Sequence, residues 1–272
     1  MASTSGIVLC GGQSSRMGRA KAWLPWAGRP ILCHVVERLS VAVDEVWVVA
    51  APDQSLPEVA APVIADRKGG LGPLAGIREG LLHARGELAF VTATDAPYLT
   101  DAFVRAVLGA GRAAAPVLGG FVHPLSAAYP SAAADEAERL LAAGRRRPLD
   151  LLEQLDYAAL SSDDLPDADS VRGFNTPEAY LSAVRAEADA PPVTLELTGR
   201  ARARVGESGI EVAAGRLRDV LAVLGDRLDV VEGDRVARPY AISLEGRTFL
   251  RDLEVPIGPG EHVIVLDASV GG

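Results

Sequence analysis

Apolar positions in the first part of the chain fall into short runs separated by longer stretches of helical period. Ile7-Val8-Leu9, ended by Gly11 and Gly12, reads as a buried strand over Gly6 to Cys10. Similar runs predict strands over Glu45 to Ala50, Val63 to Ala65, Leu88 to Thr94 and Ala113 to Leu118. Between them, apolar residues recur at helical spacing from Pro30 to Leu39, from about Leu74 to Arg85, and from Thr100 onward, and Pro30 suits the first turn of a helix. Further helices are expected from Ser131 to about Ala143 and from Thr176 to Ala186. Strands alternating with helices predict an α/β fold with a mainly parallel sheet covered on both faces. In such a sheet, ligands bind outside the carboxyl ends of the strands.

The pattern breaks at Arg185-Ala-Glu-Ala-Asp-Ala-Pro-Pro192, whose paired prolines suit an extended linker. Beyond it Val193, Leu195 and Leu197 alternate with polar residues, as do Ile210 and Val212, which predicts half-buried strands. Leu217, Val220, Leu221, Leu224 and Leu228 recur at helical spacing. Ile242 to Phe249 reads as a strand entering a glycine turn, and His262 to Asp267, apolar on both faces, reads as a central strand. The expected organisation is a first domain over 1–187, a linker over 188–192, and an α+β domain over 193–272 whose order of elements fits a β-grasp, or ubiquitin-like, fold.

Composition narrows the functional classes. The 272 residues are 49% hydrophobic and 23% charged, which suffices for two globular domains. With 27 Lys and Arg against 36 Asp and Glu, the net charge of −9 argues against a general nucleic-acid surface, so an anion would need a local basic pocket. Arg16 with Lys21, and Arg145-Arg146-Arg147, are the candidates. Cys10 and Cys33 suit reduced thiols rather than a disulfide framework. Residues 1–6 lack a basic segment followed by a long apolar core, and no apolar run approaches a membrane span, so a soluble, cytoplasmic protein is expected.

The candidate chemistry begins directly after the first strand, in Leu9-Cys-Gly-Gly-Gln-Ser-Ser-Arg-Met-Gly-Arg-Ala-Lys21. Gly11 and Gly12 permit close backbone approach, so successive N–H groups can meet phosphate oxygens while Arg16 and Lys21 supply countercharge. The spacing matches neither Gly-x-Gly-x-x-Gly nor Gly-x4-Gly-Lys-Ser/Thr. It resembles the signature of nucleotidyltransferases that load a nucleotide onto a phosphorylated acceptor, most closely the molybdenum cofactor guanylyltransferases, which make molybdopterin-guanine dinucleotide. The resemblance covers Gly6 to about Ala186 and implies a Rossmann-like nucleotidyltransferase domain, with Leu9, Cys10, Gly11, Gly12 and Lys21 at the nucleotide and Arg16, Lys21 and Asp95 as catalytic groups.

Asp95, in Thr94-Asp-Ala-Pro-Tyr98, stands where a strand ends, and its carboxylate is the candidate Mg²⁺ ligand; a helix-capping role is the plainer reading. Gly72-Pro-Leu-Ala-Gly76 gives a rigid turn followed by small residues, suited to a planar base or to a simple surface turn. The resemblance implies that Gly72, Pro73, Leu74 and Gly76 lie at the guanine site, that Asp66 contacts the nucleotide, and that Asn175 lies near the metal and the acceptor phosphate. It also implies that His123 and Arg145, Arg146 and Arg147 border the molybdopterin pocket. Phe174-Asn-Thr-Pro-Glu178 is equally a helix start. The sequence departs from the family at Ala20, Cys10 and Val49-Ala-Ala51, where an aspartate, an alanine and a following asparagine are usual.

Val193 to Gly272 resembles the small sulfur-carrier subunit of molybdopterin synthase, including its Gly271-Gly272 ending. That resemblance implies a carrier terminus that an E1-like activating enzyme converts to a thiocarboxylate, and the large subunit of molybdopterin synthase as partner. The whole chain then reads as a GTP-dependent, Mg²⁺-dependent transferase, with molybdopterin as acceptor, fused to a sulfur carrier. Three alternatives stay open: a CTP-dependent cytidylyltransferase for the same pterin, a sugar-phosphate nucleotidyltransferase, and a carrier or binding protein with a decayed transferase half.

Overall fold

The computed structural model describes residues 3–11, 17–66, 70–187 and 189–267. Contacts divide the chain into two units, and the division is not the one expected. Of the described residues, 3–11, 21–23 and 30–173 form the first unit, while 17–20, 24–29 and 174–267 form the second.

The first unit is built on an eight-stranded sheet. Its strands are β1 (Thr4–Leu9), β2 (Glu45–Ala50), β3 (Val63–Ala65), β4 (Leu88–Ala93), β5 (Ala114–Leu118), β6 (Phe121–Val122), β7 (Ser126–Pro130) and β8 (Ala158–Leu160). The order is β8-β5-β7-β4-β1-β2-β3, with β6 folded back on β5. The central pairs β4-β1, β1-β2 and β2-β3 are parallel, with Ile7 beside Val91 and Trp47. The sheet is thus mainly parallel, as expected, but β7 runs antiparallel between β4 and β5. Its alanine-rich sequence, Ser126-Ala-Ala-Tyr-Pro130, carries no alternation that would mark it as a strand.

Helices α1 (Ile31–Ser40) and α3 (Asp101–Leu108) pack on the sheet, where the rings of Phe90 and Phe103 meet edge to face at 6.3 Å. The helices α2 (Pro73–His83), α4 (Ala134–Ala142) and α5 (Pro148–Gln154) share a second core with Ile7, Leu9, Val49, Val91 and Tyr129. The expected helix from Ser131 begins instead as a 3-10 turn over Ser131–Ala133. Two glycines let α2 lie unusually close to β1: a β-carbon on Gly80 would stand 2.6 Å from Ile7 Cγ2, and one on Gly76 would stand 3.2 Å from Leu9 Cδ2. This close packing brings the start of α2 to the carboxyl edge of β1.

The second unit holds a five-stranded sheet of β9 (Val193–Leu197), β10 (Gly209–Val212), β11 (Tyr240–Leu244), β12 (Thr248–Leu250) and β13 (His262–Asp267). The order is β10-β9-β13-β11-β12, so His262–Asp267 is central, as its two-sided apolar pattern predicts. The β9-β13 pair is parallel and the other three are antiparallel. The core consists of Leu195, Leu197, Leu217, Val220, Leu221, Leu224, Leu228, Ile242, Val263 and Val265, among others.

Two expectations for this unit need correction. A helix, α7 (Gly199–Val205), separates the first two strands; its Gly-Arg-Ala-Arg-Ala-Arg-Val sequence repeats every second residue and so hides a helix that buries only Ala201. The helix expected through Leu228 ends early as α8 (Leu217–Ala222), because Gly225 turns the chain at φ 49° into a 3-10 turn. Leu224 and Leu228 nevertheless stay in the core. The glycine turn after β11 is tight, with Glu245 and Gly246 both at positive φ, so Phe249 belongs to the returning strand opposite Ser243.

Helix α6 (Pro177–Arg185), expected to complete the first domain, belongs to the second unit. The Tyr180 hydroxyl donates to Pro25 O at 2.8 Å, and the Arg185 guanidinium donates to Ala214 O at 2.9 and 3.1 Å. The described boundary therefore falls between Gly173 and Phe174, before the Pro191-Pro192 linker. Among the described residues no helix is long and apolar enough to cross a membrane.

Candidate active site

The carboxyl ends of β1, β3 and β4 carry Leu9, Cys10, Gly11, Asp66 and Asp95. Cys10 N donates to Val49 O at 2.7 Å, and Leu9 O accepts from both N and Oγ1 of Thr94 at 3.1 Å. Gln54 spans the gap between β1 and β2, with Nε2 donating to Cys10 O at 2.9 Å and Oε1 accepting from Ala51 N at 3.2 Å. The backbone of Leu9 and Cys10 is therefore committed to holding the strand end, and the Leu9 side chain packs in the core. Burial also pushes the Cys10 thiol up, away from its reactive form. These two residues form the seat of the glycine loop; the first exposed position is Gly11, where a β-carbon would meet nothing within 4 Å. Gly12 and Arg16 lie outside the described residues.

Lys21 opens a 3-10 turn, Lys21–Trp23, and its Nζ donates to Asp95 Oδ2 at 2.5 Å. Both side chains are about one-fifth exposed, at 18% and 20%. Lys21 and Lys68 are the sequence's two lysines among 27 Lys and Arg residues. A chain that elsewhere relies on arginine keeps here the compact, strongly hydrated point charge, which fits beside a carboxylate or phosphate where a planar fork would not.

Asp95 follows β4, and its loop is pinned from two directions. From α1, His34 Nε2 lies 2.9 Å from Pro97 O and Arg38 Nε donates to Leu99 O at 3.2 Å. From residues 168–173, Ser170 Oγ donates to Tyr98 O at 3.1 Å, and the Arg172 guanidinium stacks on the Tyr98 ring, 5.4 Å from its centre. Gly173 runs directly over Asp95: a β-carbon there would stand 2.3 Å from Asp95 O and 3.6 Å from Asp95 Cγ. Helix α3 is capped by Thr100, whose hydroxyl accepts from Phe103 N at 3.3 Å. The Asp95 carboxylate is thus not the cap of that helix and is held at the sheet edge by Lys21.

Asp66 directly follows β3, with its N donating to Ala50 O at 2.7 Å, at the same edge. Gly72 is the residue before α2 and takes φ 86°, and Pro73 is the first helical residue. Both are exposed, whereas Leu74 is fully buried in the core and Gly76 faces Leu9. Exposed surface at the start of this segment is therefore provided by its first two residues. Arg146 is exposed beside them, with its carbonyl oxygen 3.6 Å from where a Gly72 β-carbon would be.

The other two arginines do not share that position. Arg145 and Arg147 both donate to Asp150 Oδ1, at 2.8 and 3.0 Å. A three-guanidinium phosphate clamp is not what forms, because Asp150 in the first turn of α5 takes two of the charges. Those hydrogen bonds hold the Asp150 carboxyl down to about 2 against an ordinary 3.8, so the pair stabilises the fold above about pH 4 and the contribution fades as pH falls toward 2. Asp150→Asn is expected to melt below the wild type at neutral pH, with the gap closing over that interval. Thermal melts across pH check it, and a gap independent of pH would refute it.

His123 lies between β6 and β7, half-buried, and burial lowers its pKa, favouring a neutral ring. Asn175 is exposed and belongs to the second unit, where Thr176 rather than Asn175 caps α6 by accepting from Ala179 N at 3.3 Å. Gly271 and Gly272 lie outside the described residues. Gln54, Thr94 and Gly173 are the positions that reading the sequence does not single out.

Residues 6–158 match the MobA-like NTP transferase domain. The chain belongs to that family. It is accordingly a nucleotidyltransferase. The protein named "Probable molybdenum cofactor guanylyltransferase" in Mycobacterium tuberculosis is 38% identical over 186 residues, covering 64% of this chain and 92% of the relative. The protein of the same name in Bacillus cereus is 32% identical over 193 residues, covering 67% of this chain and 96% of the relative. Among solved structures, molybdopterin-guanine dinucleotide biosynthesis protein A from Archaeoglobus fulgidus superimposes with a TM-score of 0.56 at 26% identity, covering 66% of this chain and 96% of that one.

Proposed function

We propose that the chain transfers GMP from GTP to the terminal phosphate of molybdopterin and releases pyrophosphate. The observation that carries this reading is the Lys21–Asp95 pair, held in a parallel-sheet edge of a MobA-like transferase. The guanylyltransferase names of the relatives support guanine and molybdopterin as the two substrates.

Mg²⁺ fits this edge by donor chemistry. Among the described residues no three His, Cys, Asp or Glu side chains cluster as a complete metal cage. Asp95 offers a carboxylate at the mouth, which suits an ion bound through one or two carboxylates together with substrate phosphates. When bound, Mg²⁺ would neutralise charge that builds on the departing pyrophosphate. The chain's own groups do the rest: Lys21 meets the phosphates as a point charge, the glycine loop offers N–H groups, and the pinned 95–100 loop holds Asp95 in place. An oxygen of the molybdopterin phosphate bonds to the α-phosphorus of GTP as the bond from that phosphorus to the bridging oxygen breaks. No protein nucleophile takes part, so catalysis rests on positioning and charge. Arg146 beside Gly72, and neutral His123, are assigned to the acceptor side, while Gly72, Pro73 and Asp66 are assigned to the nucleotide, with Asn175 near the acceptor phosphate.

We further infer that residues 193–272 are a β-grasp sulfur carrier that works with an E1-like activating enzyme and the large subunit of molybdopterin synthase. Its support is the strand order, second-first-fifth-third-fourth, with the first and last strands parallel at the centre. The deciding assay supplies full-length protein with Mg²⁺, molybdopterin and either GTP or CTP. Dinucleotide formation with GTP, favoured by roughly tenfold or more over CTP, is expected. Equal or better use of CTP, or no product with either, would sink the guanylyl assignment.

A further inference from the structure

Two side chains hold a loop by two hydrogen bonds at once. In the second unit the Arg19 guanidinium donates both Nη atoms to the Glu261 carboxylate, each at 2.7 Å, and serves that unit's own fold. In the first unit the Gln54 amide plays this part at the seat of the glycine loop, and there the consequence is chemical. Strands β1 and β2 pair in parallel with Leu9 beside Val49, and Cys10 N donates to Val49 O at 2.7 Å. The next rung of a parallel ladder would run from Ala51 N to Cys10 O. Gln54 is inserted into that rung. Ala51 N donates to Gln54 Oε1 at 3.2 Å, while Gln54 Nε2 donates to Cys10 O at 2.9 Å and lies 3.6 Å from Cys10 Sγ. Because a main-chain N–H only donates and a carbonyl only accepts, the amide fits one way round. A four-residue turn brings it there, with Pro52 second, Asp53 third at φ 59°, and Gln54 N donating to Ala51 O at 3.3 Å.

A side-chain amide in this place acts as an extra peptide unit between the two strands, and it fixes the plane of the Cys10–Gly11 peptide. In a trans peptide the carbonyl and the following N–H point in opposite directions. Cys10 O is turned toward β2, so the N–H of Gly11 is turned the other way, toward β4. On that side Thr94 N donates to Leu9 O at 3.1 Å, and Asp95 follows with Lys21 bound to it. Gly11 is exposed, and among the described residues its N has no hydrogen-bond partner. Turned over, the same peptide would present a carbonyl oxygen at this spot and repel phosphate. We propose that Gln54 is a positioning residue for nucleotidyl transfer, which holds the first peptide of the glycine loop with its N–H outward so that this amide and the Lys21 ammonium serve one triphosphate. Gln54 touches no substrate; it acts through Cys10 O. The inference rests on the transferase reading above and adds the residue that gives the loop its polarity.

The experiment uses full-length protein and inorganic triphosphate with Mg²⁺ as the probe. Cys10–Gly11 is the sequence's one Cys-Gly step, so protein labelled with ¹³C-carbonyl cysteine and ¹⁵N-glycine gives a single peak in a carbonyl-correlated amide NMR spectrum. That peak reports both faces of the peptide: the carbonyl carbon senses Gln54, and the amide proton senses the ligand. In the wild type, the probe is expected to move the Gly11 amide proton downfield. Gln54→Leu keeps the bulk but removes both hydrogen bonds; Gln54→Glu keeps the acceptor for Ala51 N and sets a second oxygen against Cys10 O. Both should shift the Cys10 carbonyl carbon upfield before any ligand is added. Affinity for the probe, measured by calorimetry, should fall roughly tenfold in Gln54→Leu, the scale of one hydrogen bond, and at least as far in Gln54→Glu. Gly86→Ala, at the opposite end of β1, controls for general loss of stability and should leave the affinity unchanged below its melting temperature. An unmoved Gly11 amide proton in the wild type, undiminished affinity in both Gln54 variants, or an equal loss in Gly86→Ala overturns the inference. The probe carries no base, so a protein that takes it up as expected yet makes no product from GTP would remove the guanylyl reading alone.

Discussion

Lys21→Ala is expected to lower kcat/KM for nucleotidyl transfer by roughly a thousandfold, the scale seen when a preorganised charge aimed at a transferring group is removed. Its magnitude follows from the pair it makes. Lys21 Nζ sits 2.5 Å from Asp95 Oδ2, with both groups mostly shielded from water. In the ligand-free protein the two groups are paired, and on the reading proposed above phosphate draws the ammonium away and leaves the carboxylate to a cation. The variant loses the phosphate charge and bares Asp95 at once. Turnover should fall while binding of Mn²⁺ alone, followed by electron paramagnetic resonance, tightens. Lys21→Arg should not restore the rate, because a guanidinium fork is too wide for a site shaped around a point charge. Activity within tenfold of wild type, or unchanged Mn²⁺ affinity, would show that the pair has no part in catalysis.

Gly173→Ala is expected to cost roughly a hundredfold in kcat, comparable to a misplacement of a reacting group by about 1 Å. The added methyl would lie 2.3 Å from Asp95 O, a main-chain atom that cannot swing aside, so the loop bearing the carboxylate must shift as a whole. Loss of rate alone would be ambiguous, because crowding also destabilises. Gly86→Ala supplies the control: its β-carbon would stand 2.7 Å from Ser5 N, an equally rigid neighbour at the opposite end of β1. Steady-state kinetics beside thermal melts should find both variants destabilised but only Gly173→Ala impaired in turnover. Equal impairment of the two would reduce Gly173 to a packing residue.

Much of this arrangement is legible in the amino-acid order, and the reasons differ from residue to residue. The bounds of β2 and β3 agree with expectation because their apolar runs are short, continuous and flanked by breakers. The placement of Gly11, Asp66 and Asp95 just beyond the carboxyl ends of β1, β3 and β4 follows from parallel strands, whose carboxyl ends all point the same way. The central place of His262–Asp267 follows from its two apolar faces. What stays hidden depends on distant pairs. Nothing local marks Gly173 as the residue that passes over Asp95, or Gln54 as the bridge from Cys10 O to Ala51 N. The quenching of Arg145 and Arg147 did leave a trace, since Asp150 stands three residues after Arg147 at the start of a proline-opened helix, where a carboxylate is favoured. The inward face of Leu74 and Gly76 is a matter of helical phase: with Ile77 and Leu81 they fall on the side of α2 that packs on β1 and β2.

Arg19 and Glu261 are 242 positions apart. At a synthesis rate of about 5–20 residues per second, the glutamate follows its arginine off the ribosome by roughly 12 to 50 s. Throughout that interval residues 17–20 lack the acid that pairs with Arg19, so the second unit, which takes in both, can complete its fold only after Glu261 has been made.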